Sequence, residues 1–243
     1  MTKPDPAAVR TMFGRIAPRY DLANRLLSAG LDRGWRTRLA GAVRRAAPAS
    51  VLDVATGSGD VAFTLARSLP QDTAIVGIDF CLPMLEEAER KRRRAGPGAY
   101  SRVRFQNGDA LKMDQPDAAY GAVTIAFGLR NLPDRARFFA EALRVLRPEG
   151  TLFVLEFSQP AAWFRPVYFF YLRRILPAIG GWLAGDREAY RYLDATIEAF
   201  PDRGALAEEM RRAGFARVEA APLAAGSVAL HVAAKGRSGR IGD

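Results

Sequence analysis

From residue 50 onward, the chain alternates short apolar runs with stretches of helical spacing. The runs cover residues 51–54, 74–78, 103–105, 122–125 and 152–155, and residues 59–68, 83–94 and 134–146 between them carry apolar positions three and four apart. Unbroken apolar runs suit strands covered on both faces, and strand, helix, strand in succession calls for a parallel sheet with crossover helices. Residues 215–221 and 227–234 read as two more strands joined by a loop holding Gly226, an antiparallel edge pair. The pattern therefore predicts an α/β fold: a doubly wound, mostly parallel, seven-stranded sheet.

Helical spacing also marks the two flanks of this core. The expected division is a helical cap over 1–48, a ligand-binding core over 49–160, a helical insertion over 161–201, a last helix with antiparallel strands over 202–236, and a tail over 237–243. Ligands of a doubly wound sheet bind at the carboxyl ends of its strands, so both additions are placed to cap a site there. The longest apolar stretch, 161–182, is broken by Arg165, Pro166, Arg173, Arg174 and Pro177, which argues against a membrane span. The first residues lack the apolar centre of a signal peptide, and Cys81 is the only cysteine, which excludes an internal disulfide. These features predict a cytoplasmic protein.

Charge changes the picture only slightly. An excess of 36 basic over 26 acidic residues gives +10, enough to draw anionic partners over long range, but only four of the basic residues are Lys, and Arg-rich usage is equally a mark of a GC-rich genome. The one charge block, Arg90-Lys91-Arg92-Arg93-Arg94 followed by Gly96 and Gly98, reads as a solvated helix end rather than a nucleic-acid contact. No nucleic-acid partner is expected. No His/Cys cluster has metal-site spacing, so no metal is expected either.

Candidate chemistry begins at Asp53-Val54-Ala55-Thr56-Gly57-Ser58-Gly59-Asp60, the loop between the first strand and its helix. Gly57 and Gly59 let a ligand approach the backbone closely, and the loop formally fits a dinucleotide pattern. Carboxylates at Asp53 and Asp60 would repel a pyrophosphate, whereas the sulfonium and ammonium of S-adenosylmethionine gain from acidic neighbours. Asp60 also has an ordinary use in the first turn of a helix. Asp79 ends the second strand, where an acid accepts hydrogen bonds from both ribose hydroxyls of a nucleoside. Asp109 and Ala110, just past the third strand, are placed to meet the adenine edge.

Further motifs occur in a fixed order. They are Met12-Phe13, Ile16-Ala17-Pro18-Arg19-Tyr20-Asp21, the glycine loop, Phe127-Gly128-Leu129-Arg130-Asn131, Arg144-Val145-Leu146-Arg147-Pro148, Leu155-Glu156-Phe157-Ser158-Gln159-Pro160, Tyr190-Arg191-Tyr192-Leu193 and His231. In these the chain resembles the ubiquinone and menaquinone biosynthesis C-methyltransferases, a class I, Rossmann-like, S-adenosylmethionine-dependent family, over most of its length. The resemblance implies cofactor contacts at Ser58, Asp79, Asp109, Ala110 and Ala126. It also implies methylation of a ring carbon beside a hydroxyl in a polyprenylated quinol such as demethylmenaquinol or a benzoquinol of the ubiquinone pathway. Four positions depart from the family pattern: Asp32 for His, Ser58 for Thr, Ala126 for Ser, and Glu149 for Gly.

Such a ring carbon attacks well only when its neighbouring hydroxyl is deprotonated, so catalysis calls for oxyanion stabilisation and alignment. Arg130 is the first candidate for the oxyanion, with a salt bridge to Asp21 or Glu156 as its structural alternative. Asn131 would orient the quinol oxygen, and Tyr20 and Asp21 would close over the cofactor and complete a proton path. His231 reads as structural. The aromatic and Arg-rich stretch 163–176 is either a seat for the isoprenoid tail beside anionic lipid headgroups, making the protein peripheral at the inner face of the membrane, or ordinary packing. Two other readings stay open, an RNA methyltransferase and a non-catalytic binding protein of the same fold; homo-oligomerisation is left open too. A nicotinamide dehydrogenase is disfavoured by the acidic loop.

Overall fold

The computed structural model describes residues 5–17, 21, 25, 28, 30–175 and 187–237. Its strands are β1 (Ser50–Val54), β2 (Ala74–Asp79), β3 (Val103–Asn107), β4 (Tyr120–Ala126), β5 (Leu146–Phe157), β6 (Arg217–Leu223) and β7 (Val228–Ala234). They form one sheet in the order β3-β2-β1-β4-β5-β7-β6. The first five run parallel, and β7 lies antiparallel to both β5 and β6. The terminal pair is antiparallel as expected, but only β6 is an edge strand; β7 is interior.

Alternation along each strand divides the core in two. Leu52, Val54, Val123, Ile125, Leu152 and Val154 face one layer, where Phe138, Phe139 and Val145 of α5 (Arg135–Val145) and Leu206 and Met210 of α8 (Arg203–Arg212) pack. Val51, Ala122, Phe153 and Leu155 face the other, against Leu39 and Val43 of α2 (Asp32–Arg45) and Val61 and Leu65 of α3 (Asp60–Ser68). Successive residues thus feed opposite layers. Burial on both sides explains why these strands read as continuous apolar runs.

Helix starts follow from local chemistry. Asp5 caps α1 (Pro6–Ile16) by accepting from the Ala7 amide at 3.0 Å, with Pro6 opening the first turn. Asp134 and Asp202 do the same for α5 and α8, through the amides of Arg137 and Ala205. At the far end of α4 (Leu82–Arg94), four cations occupy the last turn, where they oppose the helix dipole. The insertion contains α6 (Arg165–Phe170), a π turn over Tyr171–Ile175 and α7 (Arg187–Ala199).

β1 is tied to β4 by a buried carboxylate. Asp53, 1 % exposed, accepts from the hydroxyls of Thr124 on β4 and Thr56 in the following loop, both at 2.6 Å. Burial lifts its pKa to about 6, against the lowering effect of those two bonds.

Glu149 sits in the bulge where β5 slips against β4, between the Tyr120–Leu146 and Ala122–Thr151 pairings. It keeps a left-handed backbone, φ +63°, which a residue with a Cβ adopts at a cost. Its ion pair with Arg237 is exposed and adds little. Glu149→Gly is therefore expected to stabilise the protein by about 0.5–1 kcal/mol, read as a higher urea midpoint; an unchanged or lower midpoint contradicts this. Asp53 gives a second expectation. With its folded pKa raised, stability is greatest while Asp53 is protonated and falls as pH rises from about 4 through about 6, by about 3 kcal/mol. Urea midpoints of Asp53→Asn should lack this fall, so the two proteins' stability curves diverge over that interval; parallel curves would disprove it.

Candidate active site

The chain leaves β1 toward β2 on one side and enters β4 on the other. Sheets that reverse winding in this way open a crevice at the carboxyl ends of the strands. The crevice here is a cavity of about 160 Å³ lined by Ala55 and Gly57 after β1, Asp79 and Phe80 after β2, Gly108 to Leu111 after β3, and Ala126 to Gly128 after β4. Val9, Arg10 and Phe13 of α1 close its outer side. The volume is below the roughly 300 Å³ of a typical small-molecule site.

The loop after β1 is held at three points. Thr56 bonds to Asp53 through its side chain and to the Ile78 carbonyl through its amide, and the Gly57 amide donates to Asp79 Oδ2 at 2.8 Å. Gly59 has φ +82°, and a Cβ there would lie 2.7 Å from the Phe105 ring. It serves packing and does not line the cavity. Gly128 is as tightly placed: a Cβ would fall 2.7 Å from that of Ala55.

The acidic wall differs from the sequence expectation. Asp53 lies behind the loop, bonded to Thr56 and Thr124, and Asp60 turns outward to pair with Lys91 at 2.7 Å and Arg36 at 3.3 Å. Neither carboxylate faces the cavity, because each is taken up by partners distant in sequence. Asp79 supplies the charge instead. It is 6 % exposed, its Oδ1 accepts from the Cys81 amide at 2.9 Å, and burial raises its pKa against those backbone bonds. The Phe80 amide bonds to the same carboxylate. Asp109 also lines the cavity, with Oδ1 accepting from the Leu111 amide at 2.8 Å.

Of the predicted residues, Gly57, Asp79, Asp109, Ala110, Ala126 and Asn131 line this one cavity. Asp21 and Ser58 do not. The Ser58 hydroxyl donates to Asp21 at 2.7 Å and accepts from Lys91, which also pairs with Asp21. Lys91 is the one member of the basic block drawn inward in this way. Asp32, in place of the family's His, is buried and accepts from Ser28 and Arg36, so it belongs to the same network. Tyr20 lies outside the described residues.

Arg130 and Asn131 share a short 3-10 turn, Leu129–Asn131. Arg130 forms its alternative salt bridge, to Glu156 at 2.9 Å, with the guanidinium 5.0 Å from the Phe157 ring centre. It does not line the nucleoside cavity. Asn131 does, and the Tyr192 hydroxyl donates to its Oδ1 at 3.2 Å. The sequence around Tyr192 gives no sign of this bond; only the fold brings α7 to the turn. Trp35 of α2 meets Phe127 with centroids 6.0 Å apart and steadies the same loop from the amino-terminal side. His231, buried on β7, donates from Nε2 to the Arg203 carbonyl at 3.0 Å, its pKa lowered by burial, and is structural as expected.

The lining suits a cationic nucleoside: one buried acid at the end of β2, a second beside it, and apolar walls from Phe80, Met84, Leu111 and Phe127. A pyrophosphate would meet Asp79 at close range.

Comparison with known proteins agrees. The model of the ubiE/COQ5 methyltransferase family matches residues 1–235. A demethylmenaquinone methyltransferase of Deinococcus radiodurans is 48 % identical over 86 % of this chain and 85 % of its own, and one of Thermus thermophilus is 47 % identical over 91 % and 98 %. A ubiquinone/menaquinone biosynthesis C-methyltransferase of Geobacter sulfurreducens is 43 % identical over 85 % and 80 %. Among solved structures, a SAM-dependent methyltransferase from Aquifex aeolicus aligns with TM-score 0.55 at 19 % identity over 76 % of this chain and 80 % of that one. The [4+2]-cyclase SpnF aligns with TM-score 0.67 at 19 % identity over 98 % of both. The structural likenesses establish the class I methyltransferase fold, and the sequence matches over nearly the whole length establish more: this chain belongs to the ubiE/COQ5 methyltransferase family.

Proposed function

We propose that this chain methylates a ring carbon of a polyprenylated naphthoquinol, converting a demethylmenaquinol to the menaquinol. The enzyme is an S-adenosylmethionine-dependent C-methyltransferase. The observation that carries the acceptor assignment is the position of Asn131, on the wall of the cavity that also holds Asp79, with its amide oxygen already engaged by Tyr192. The two relatives at 47–48 % identity are named for demethylmenaquinone, which favours the naphthoquinol over a benzoquinol.

When bound, S-adenosylmethionine supplies an electrophilic methyl group on a sulfonium. Asp79 accepts the ribose hydroxyls, Asp109 and Ala110 meet the adenine edge, and Gly57 and Ala126 offer backbone. Asp53, Ser58 and Gly59 hold the loop from behind. The acceptor's ring must carry a phenolate next to the reacting carbon. With Oδ1 occupied by Tyr192, the Asn131 amide nitrogen is free to donate to that oxygen. Arg130 is permanently cationic and serves as a fixed positive charge, not a base. Its Glu156 partner, also bonded to the Arg130 and Phe157 amides, fixes its position. A water takes the proton.

Membrane contact belongs to the same reading. Among the described residues no helix is long and apolar enough to cross a membrane. Trp163, Val167 and Phe170 are 60 % exposed or more around α6, beside Arg165 and Arg173, a set suited to insertion among anionic headgroups at the inner face.

Incubated with S-adenosylmethionine and reduced demethylmenaquinol, the protein should give a product one methylene heavier by mass spectrometry; a product from the benzoquinol alone would redirect the assignment. In the same assay Asn131→Ala should lower kcat about 100-fold with little change in cofactor affinity. Asp79→Asn should weaken S-adenosylmethionine binding about 10- to 100-fold by calorimetry. Co-sedimentation with vesicles containing phosphatidylglycerol should fall on Trp163→Ala and in high salt; equal binding to neutral vesicles removes the electrostatic part.

A further inference from the structure

Beside the nucleoside cavity lies an open groove of about 1150 Å³. The two share a wall, since Leu132 and Pro133 line both. The 3-10 turn divides its residues between them: Asn131 faces the cavity and Arg130 the groove.

The groove runs between two tracks of small residues. Ala136 and Ala140 are one helical turn apart on α5, and Ala195 and Ala199 one turn apart on α7; all four are exposed and line it. Side chains four apart share a helix face, so each pair forms a ridge of methyl groups. The charged residues nearby are largely satisfied. Arg135 makes two bonds to Glu209, at 2.7 and 2.8 Å, and lies 5.5 Å over the Phe200 ring.

A second, independent observation marks the junction. The Arg130 side chain is only 8 % exposed, and its Nε is buried with no hydrogen-bond partner. Buried donors are almost always paired, and this one lies at the wall the groove shares with the cavity.

We infer that the groove seats the isoprenoid tail of the lipid acceptor, with the reacting ring at the junction and a ring oxygen within reach of Arg130. This inference rests on the quinol reading above. Only a guest attached to the methyl acceptor needs a path continuous with the cofactor cavity, and a branched hydrocarbon matches the methyl ridges of α5 and α7, between which the charged side chains are paired with one another or cap helices. The groove exceeds the roughly 300–1,000 Å³ of sites for compact ligands and is open along its side, which suits several isoprene units followed by more chain outside. It places the tail along α5 and α7, not in the 163–176 stretch.

The direct test is photolabelling of the full chain, without cofactor, by a demethylmenaquinol analogue carrying a diazirine in its second isoprene unit. Labelled peptides should span 132–140 and 195–200; label confined to 163–170 overturns the inference. Ala136→Trp and Ala195→Trp lie at exposed positions that tolerate bulk. Each should raise KM about tenfold for a long-tailed demethylmenaquinol relative to a tail-free naphthoquinol, with S-adenosylmethionine affinity unchanged. An unchanged ratio overturns the groove alone. A wild-type protein that methylates no quinol of any tail length removes the acceptor reading and the groove with it. A dimer that Ala195→Trp splits, by light scattering, reassigns the groove to a second copy of the chain.

Discussion

The carboxylate of Asp53 is the constraint on which the site is built. Placing a carboxylate in the middle of a sheet is costly unless its oxygens are bonded, and here two hydroxyls meet it from different segments, Thr124 on β4 and Thr56 in the loop. One group thereby fixes the separation of β1 and β4, where the winding of the sheet reverses, and the start of the loop that crosses the gap. With Thr56 fixed, the Gly57 amide falls onto Asp79. Asp79 is then both a brace for the loop and the acid presented to the ligand. Its raised pKa comes from burial, and a cationic ligand nearby would favour the charged form.

A second network joins the amino-terminal segment to this core. Lys91 bridges Asp21 and Asp60, Ser58 bonds to Asp21, and Arg36 links Asp60 to Asp32. These polar, partly exposed contacts add to an apolar attachment, in which Leu39 and Val43 pack on the sheet and Ala17 packs on Cys81 and Met84. Asp32 and Ser58, two of the positions noted above as departures, both belong to this network.

The sheet was legible because its strands are covered on both faces: residues 51–54, 74–78, 122–125 and 152–155 appear as mostly apolar runs, polar only at Asp53 and Thr124, the pair that bonds β1 to β4. The start of β5 was hidden, since Arg147-Pro148-Glu149-Gly150 carries turn chemistry and forms a bulge rather than a plain strand. Within the site, positions set by topology were readable: Gly57, Asp79, Asp109, Ala110 and Ala126 all follow or end a parallel strand, and a doubly wound sheet brings such ends together. Roles set by long-range pairing were not. Nothing near Asp60 shows that Lys91, 31 residues on, will claim it, and nothing near Asn131 points to Tyr192, 61 residues away.

The fold alone does not choose the reaction, as the likeness to a cyclase over the whole chain makes plain. What distinguishes this chain is concentrated after β4 and in the insertion. The sheet delivers a nucleoside to one side of residues 126–133, and α7 brings Tyr192 and its alanine ridge to the other. Between them stand Arg130 and Asn131, one held by Glu156 and the other by Tyr192, so that both side chains are fixed before any acceptor arrives. On the quinol reading proposed above, donors positioned in advance would stabilise a developing oxyanion without reorganising, which would give the insertion a chemical reason to exist.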